Sequence, residues 1–155
     1  MKHRLFSSLL IIALVALVGG CATAPEKSSL ELQAFQKKNF DTSKKVAFAS
    51  VMSVFQDMGY TVKQASVETG FIQAASPTKS FVLFGAHMTN TEATAFVEDI
   101  TPTRTSIRLN FVQDKEDSSG YGMKSKTDKP ILDQKVYEGC FKNIQEAIFI
   151  REASK

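Results

Sequence analysis

Three observations predict an α+β domain in which an antiparallel sheet of about four to five strands carries two helices on one face. Apolar residues recur at helical spacing in two stretches, near residues 47–58 and 136–148, and alternate at strand spacing near 60–66, 71–76, 94–100 and 103–113. Turn residues separate neighbouring strand runs, so the strands connect as hairpins and pair antiparallel. The chain has 155 residues, 43% hydrophobic and 23% charged, which fits one ordinary domain and excludes two sizeable ones.

The first segment lies outside that domain. Lys2 and Arg4 precede an uncharged apolar run, Leu9 to Val18, that ends in Gly19-Gly20-Cys21. The run is shorter than the ~18 to 20 residues that span a bilayer, and small residues follow it where a membrane anchor would carry charges. Residues 1–20 therefore read as a secretory signal. Val18-Gly19-Gly20-Cys21 resembles the lipobox of bacterial lipoproteins, which implies diacylation of the Cys21 thiol, cleavage before it, and acylation of the new amine. Two or more acyl chains, at ~0.8 kcal/mol per buried methylene, hold a protein lastingly to a membrane. Ala22 matches the outer-membrane class of such lipoproteins, so the resemblance implies a lipid-anchored protein on the periplasmic face of the outer membrane.

Cleavage at that point removes two of the 19 basic residues and leaves the mature chain close to neutral against its 16 acidic ones. No basic stripe remains to displace counterions, so nucleic acid is not an expected partner. With Cys21 acylated, Cys140 has no disulfide partner and the domain depends on its core. Cys140 shares a helical stripe with Tyr137, Phe141, Ile144 and Ile148, which points to core packing.

Along the mature chain, residues 21–29 form a polar tether and residues 30–155 a single domain. Leu30, Leu32, Phe35 and Phe40 suggest a first strand. Asp41, Thr42 or Ser43 can cap a helix whose Ala47, Val51, Val54, Phe55 and Met58 fall on one face, and Gly59 ends it. Tyr60 to Ser66 is a strand with Tyr60, Val62 and Gln64 on one side; Glu68-Thr69-Gly70 turns it into Phe71 to Ser76. Thr94 to Ile100 and Thr103 to Gln113 form a second hairpin, with Thr105, Ile107, Leu109 and Phe111 facing one way and Ser106, Arg108 and Asn110 the other. Polar Asp114 to Lys129 reads as a loop. A closing helix from Asp133 to Arg151 buries Val136, Tyr137, Cys140, Ile144, Ala147 and Ile148.

These elements carry a resemblance. Leu32-Gln33-Ala34-Phe35-Gln36, Asn39-Phe40-Asp41-Thr42, Val54 to Val62, Glu68-Thr69-Gly70-Phe71-Ile72-Gln73-Ala74, Val136-Tyr137, Phe141 and Ile148-Phe149 resemble a group of small uncharacterised bacterial lipoproteins. The implied fold is similar to the helix-grip domain of the lipoprotein forming the C subunit of the outer-membrane β-barrel assembly machine. It brings no catalytic residue with it, and a shared fold does not transfer a function.

No constellation of catalytic residues assembles from the spacing. His87 is the one histidine of the mature chain, which leaves a zinc site or a Cys/His pair without partners. Ser76-Pro77-Thr78-Lys79 has the spacing of an acyl-serine motif, but Pro77 breaks the helical turn that the geometry needs. Asp114, Glu116 and Asp117 lack the glycine and closing glutamate positions of a calcium loop. Glu98 and Asp99 are neighbours in a strand and point to opposite faces. The segment Phe81 to Met88, with His87 its sole polar member, is either core or contact surface, and Phe81, Phe84, His87 and Met88 are its candidate binding residues. The expectation is a non-enzymatic envelope lipoprotein, without cofactor or metal, that binds another envelope protein. The alternative is a binder of lipid or another apolar small molecule through the sheet face.

Overall fold

A computed structural model describes residues 28–82, 86–118 and 123–154. The signal segment, Cys21 and most of the tether lie outside these described residues. The described part is α+β, with a seven-stranded antiparallel sheet and three helices, a larger sheet and one more helix than the sequence suggested.

The extra helix replaces the expected first strand. Helix α1, Ser29–Gln36, starts within the presumed tether: Ser28 accepts from the Glu31 amide and Glu31 accepts from the Ser28 amide, a reciprocal cap that sets the turn. Only β1, Lys37–Phe40, keeps strand geometry. None of α1 is fully buried; Phe35 docks edge-on against Tyr137 with ring centroids 5.0 Å apart.

Helix α2, Lys44–Asp57, buries Ala47, Val51, Val54 and Phe55 as its period requires, and Phe48 beside them. Gly59, at φ +82°, closes it. Strands β2, Thr61–Ser66, and β3, Phe71–Ala75, make the first hairpin. A bulge at Lys63 puts Val62 opposite inward Ala74 but Gln64 opposite Gln73, so Val62 and Gln64 do not share a face as simple alternation predicts. At the hairpin turn Gly70, at φ +75°, accepts from the Val97 amide at 2.9 Å.

The second hairpin is longer than its apolar pattern. Strands β5, Ala86–Thr101, and β6, Arg104–Ser118, pair along nearly their whole length, about 50 Å for β5 at ~3.3 Å per residue. β4, Lys79–Val82, adds to the far half of β5, while β7, Lys124–Pro130, adds to the far half of β6. The expected loop at Asp114 to Lys129 is thus largely strand. No hydrophobic alternation marks it because every residue of β7 is exposed and neither face of this extension enters the core. The near halves of β5 and β6 sit in the sheet order β1-β6-β5-β3-β2.

Helix α3, Gln134–Ala153, capped by the Asp133 carboxylate, covers the same face as α2. Small Ala74, Ala93 and Ala95 in mid-sheet let the helices approach, and Phe55, Tyr137, Phe141, Ile144 and Ile148 fill the gap against Ile107, Leu109 and Phe111. Phe111 is the hub of an aromatic cluster, 5.2 Å from Tyr137 and 6.3 Å from Phe55. At the opposite end, Thr105 donates to the Thr42 carbonyl at 2.8 Å and Thr42 to Glu152 at 2.6 Å, tying α3 to β6 and the start of α2.

Candidate functional site

The helices protect one face of the sheet, and side-chain alternation sends the other residues of each strand to the opposite face. In β5, Ala93, Ala95 and Val97 point inward, so Thr94, Phe96 and Glu98 point outward; in β6, inward Ile107 and Leu109 leave Arg108 and Asn110 outside. In β3, Phe71, Gln73 and Ala75 are outward and half-buried. No helix of the described residues covers this outer face, and Phe96 is 41% exposed on it.

Register organises that face into rows. Phe71 stands opposite Phe96, Phe96 opposite Arg108, and Arg108 opposite Lys37. The adjacent row runs through Gln73, Thr94 and Asn110, and the next through Ala75, Glu92 and Val112. Gln73 donates to Glu92 at 2.8 Å, which fixes both side chains. Two aromatic rings and two cations therefore lie in one line, bordered by amides and a hydroxyl.

Farther out, on the strand extension, Asp114 stands opposite Asp128 and diagonal to Glu92. Desolvation, then the Asp128 charge, holds the Asp114 carboxyl above its ordinary value, and Glu92 adds to the effect while Lys126 opposes it. Lys126 pairs instead with Asp128 at 3.6 Å. Among the described residues, no three His, Cys, Asp or Glu side chains converge to hold a metal ion.

The candidate residues named from the sequence separate into three groups. Phe84 lies outside the described residues, as do the side chains of Phe81 and His87; the backbones of these two pair across β4 and β5. Met88 is 43% exposed, on the outer face by its alternation with Thr89. Cys140 is buried in the core, and burial pushes its thiol from 9.0 up to about 12, far from a reactive thiolate. Ser76 lies between β3 and β4, and its hydroxyl accepts from the Thr91 amide at 2.8 Å, so it serves the backbone. Asp114, Glu116 and Asp117 sit on β6, with Asp117 on the face opposite the other two, rather than in an acidic loop. Buried Ser50 and Ser106 have hydroxyls without a hydrogen-bond partner, and hence without a base positioned on either.

The aromatic row is what sequence reading missed. Thr94-Ala95-Phe96-Val97-Glu98 has apolar residues at both parities, and composition does not say which of Ala95 or Phe96 is outside. The only usable signal was the outward assignment of Arg108, whose cross-strand partner is Phe96.

A concavity of about 740 Å³ lies between α1 and α3, where Glu31, Glu138, Lys142 and Glu146 share the walls with Phe35 and Phe141. No helix among the described residues is long and apolar enough to cross a membrane.

No protein-family model matches the chain, and no curated protein matches it. Among solved structures it is similar to a DUF4468 family protein from Bacteroides ovatus ATCC 8483, at 11% identity and a TM-score of 0.40, over 72% of this chain and 84% of that one. A likeness at that level carries no argument about what this chain does.

Proposed function

We propose that this chain is a non-enzymatic lipoprotein of the bacterial envelope, anchored through acylated Cys21 to the periplasmic face of the outer membrane, whose domain binds another envelope protein. The observation that carries the binding half is the outer sheet face, which no helix among the described residues covers, with Phe71 and Phe96 side by side in register on it. Phe96 is 41% exposed beside half-buried Phe71, and an aromatic pair reached by solvent among polar residues is a candidate contact point. The address rests on the agreement of Lys2, Arg4, the apolar run and Gly19-Gly20-Cys21 in sequence.

Two measurements test the two halves. Mass spectrometry of the protein extracted from membranes is expected to give an N-terminus at Cys21 carrying acyl chains, and Cys21→Ser is expected to release the protein from the membrane fraction. An unacylated chain, or an N-terminus elsewhere, refutes the anchor. Cross-linking in intact cells is expected to join the protein to an envelope protein; a stoichiometric co-purifying lipid with no protein adduct refutes that half in favour of an apolar-ligand carrier.

A further inference from the structure

The register of the outer face says what kind of partner it suits. Phe71, Phe96, Arg108 and Lys37 occupy successive strands β3, β5, β6 and β1, a row about 14 Å long at the ~4.8 Å strand spacing. Arg108 and Lys37 face each other as like charges, an arrangement that destabilises a strand pair unless an anion joins it. Neither enters any of the ion pairs formed among the described residues, which are Arg104 with Asp41, Lys126 with Asp128, and Lys142 with Glu146. Glu98, the acid nearest in register, is diagonal to Arg108 and leaves it unpaired.

We propose that this row seats an acidic segment of the partner protein, with an apolar side chain laid on Phe71 and Phe96 and a carboxylate held by Arg108 and Lys37. This rests on the reading of the chain as a protein-binding module and names the chemistry of its partner.

Charge complementarity selects the occupant. A guanidinium donates two parallel N–H bonds to a carboxylate, and Arg and aromatic residues are the side chains enriched at protein interfaces. Lys37, at the sheet edge where it also borders the α1 groove, reaches the same anion from the other side. The surface is a sheet face, whereas sites that remove an acyl chain from water are concave. Glu98 and Glu92 bound the row along β5, so its two cations form a local spot and not the continuous basic stripe that a nucleic-acid backbone requires. The five-stranded part spans roughly 24 by 17 Å, about half of the ~800 Å² a partner covers in a standard interface. That extent fits a segment better than a whole domain.

The test uses the full-length chain in growing cells. A photo-reactive benzoyl-phenylalanine is placed at Phe96 and, in a second strain, at exposed Asn143 on α3. The Phe96 probe is expected to capture one envelope protein through a peptide that contains Asp or Glu. Arg108→Glu with Lys37→Glu is expected to lower that yield at least tenfold, and Arg108→Gln severalfold, with thermal unfolding unchanged because both side chains are exposed. Should the doubly reversed variant unfold, the Gln variant and the loss of yield with added salt carry the same decision. Replacing the captured carboxylate by Lys is expected to restore capture by Arg108→Glu. Capture that survives charge reversal, capture through a peptide without an acid, or adducts to lipid or nucleic acid at Phe96 overturns the inference. Capture from Asn143 alone overturns it and leaves the protein-binding reading standing, while absence of any protein adduct at both positions defeats both.

Discussion

Gly70 gives the sharpest test of how the first hairpin meets the central strand. Its φ of +75° lies in the left-handed region, and a Cβ built there would stand 2.0 Å from the Val97 carbonyl oxygen and 3.0 Å from its carbon. Those atoms are backbone and cannot swing aside. In Gly70→Ala the left-handed conformation costs about 1–2 kcal/mol for an L-residue. Relieving the clash also pulls apart the Val97 N–H to Gly70 carbonyl hydrogen bond, 2.9 Å long, for about 1 kcal/mol more. The expected loss is therefore about 2–3 kcal/mol, or roughly a 10 °C fall in Tm for a domain of this size. Gly59 is the control: its φ is +82°, but a Cβ there meets nothing within 4 Å. Gly59→Ala should cost only the backbone share, about 1–2 kcal/mol. Urea titrations of the two purified variants compare them directly, and equal losses would refute the close approach of the turn to β5.

Other consequences follow from the core. Burial pushes the Cys140 thiol from 9.0 up to about 12, so its contribution is complete below about pH 9 and is lost as pH rises toward 12. The urea midpoint should consequently fall more steeply over that range in the native protein than in Cys140→Ala, and parallel curves would contradict the burial. Tyr137→Phe removes a hydroxyl that donates to the Ile131 carbonyl at 2.8 Å and accepts from Gln36 and the Phe111 amide at 3.4 Å. A loss of about 1–3 kcal/mol is expected, together with faster hydrogen exchange in α1; unchanged exchange there would mean that α1 docks by other contacts. Phe111→Ala empties the aromatic hub and should cost about 3–5 kcal/mol in chemical unfolding, whereas a loss near 1 kcal/mol would place Phe111 outside the core.

What the sequence disclosed tracks what the fold buries. Helices α2 and α3 were legible because each has one dry face, so Ala47, Val51 and Phe55, or Tyr137, Cys140 and Ile144, repeat at 3.6-residue spacing. The alternation of Ile107, Leu109 and Phe111 was legible for the same reason. Residues 113–118 and 124–130 were not, since both faces of that extension are wet and pairing is inherited from the hairpin that precedes it. The bulge at Lys63 left no pattern to read. Helix α1 did carry a sign, Ser28-Ser29-Leu30-Glu31, whose spacing is that of a reciprocal N-terminal cap; four scattered apolar residues obscured it. The outer face was the least legible part, because Phe71 and Phe96 look like core residues until the register puts them outside. Only the placement of the three helices of the described residues on the other side reveals that face.

On the proposed reading, a partner covers this outer face while the helical side stays free. Cys140 is buried, so a single cysteine introduced at exposed Glu98 on the outer face, or at exposed Asn143 on α3, reports its own accessibility to a small maleimide. In purified protein both Glu98→Cys and Asn143→Cys are expected to label quickly. In intact cells Asn143→Cys should remain as reactive while Glu98→Cys slows severalfold, and equal labelling of the two positions in cells would contradict the claim.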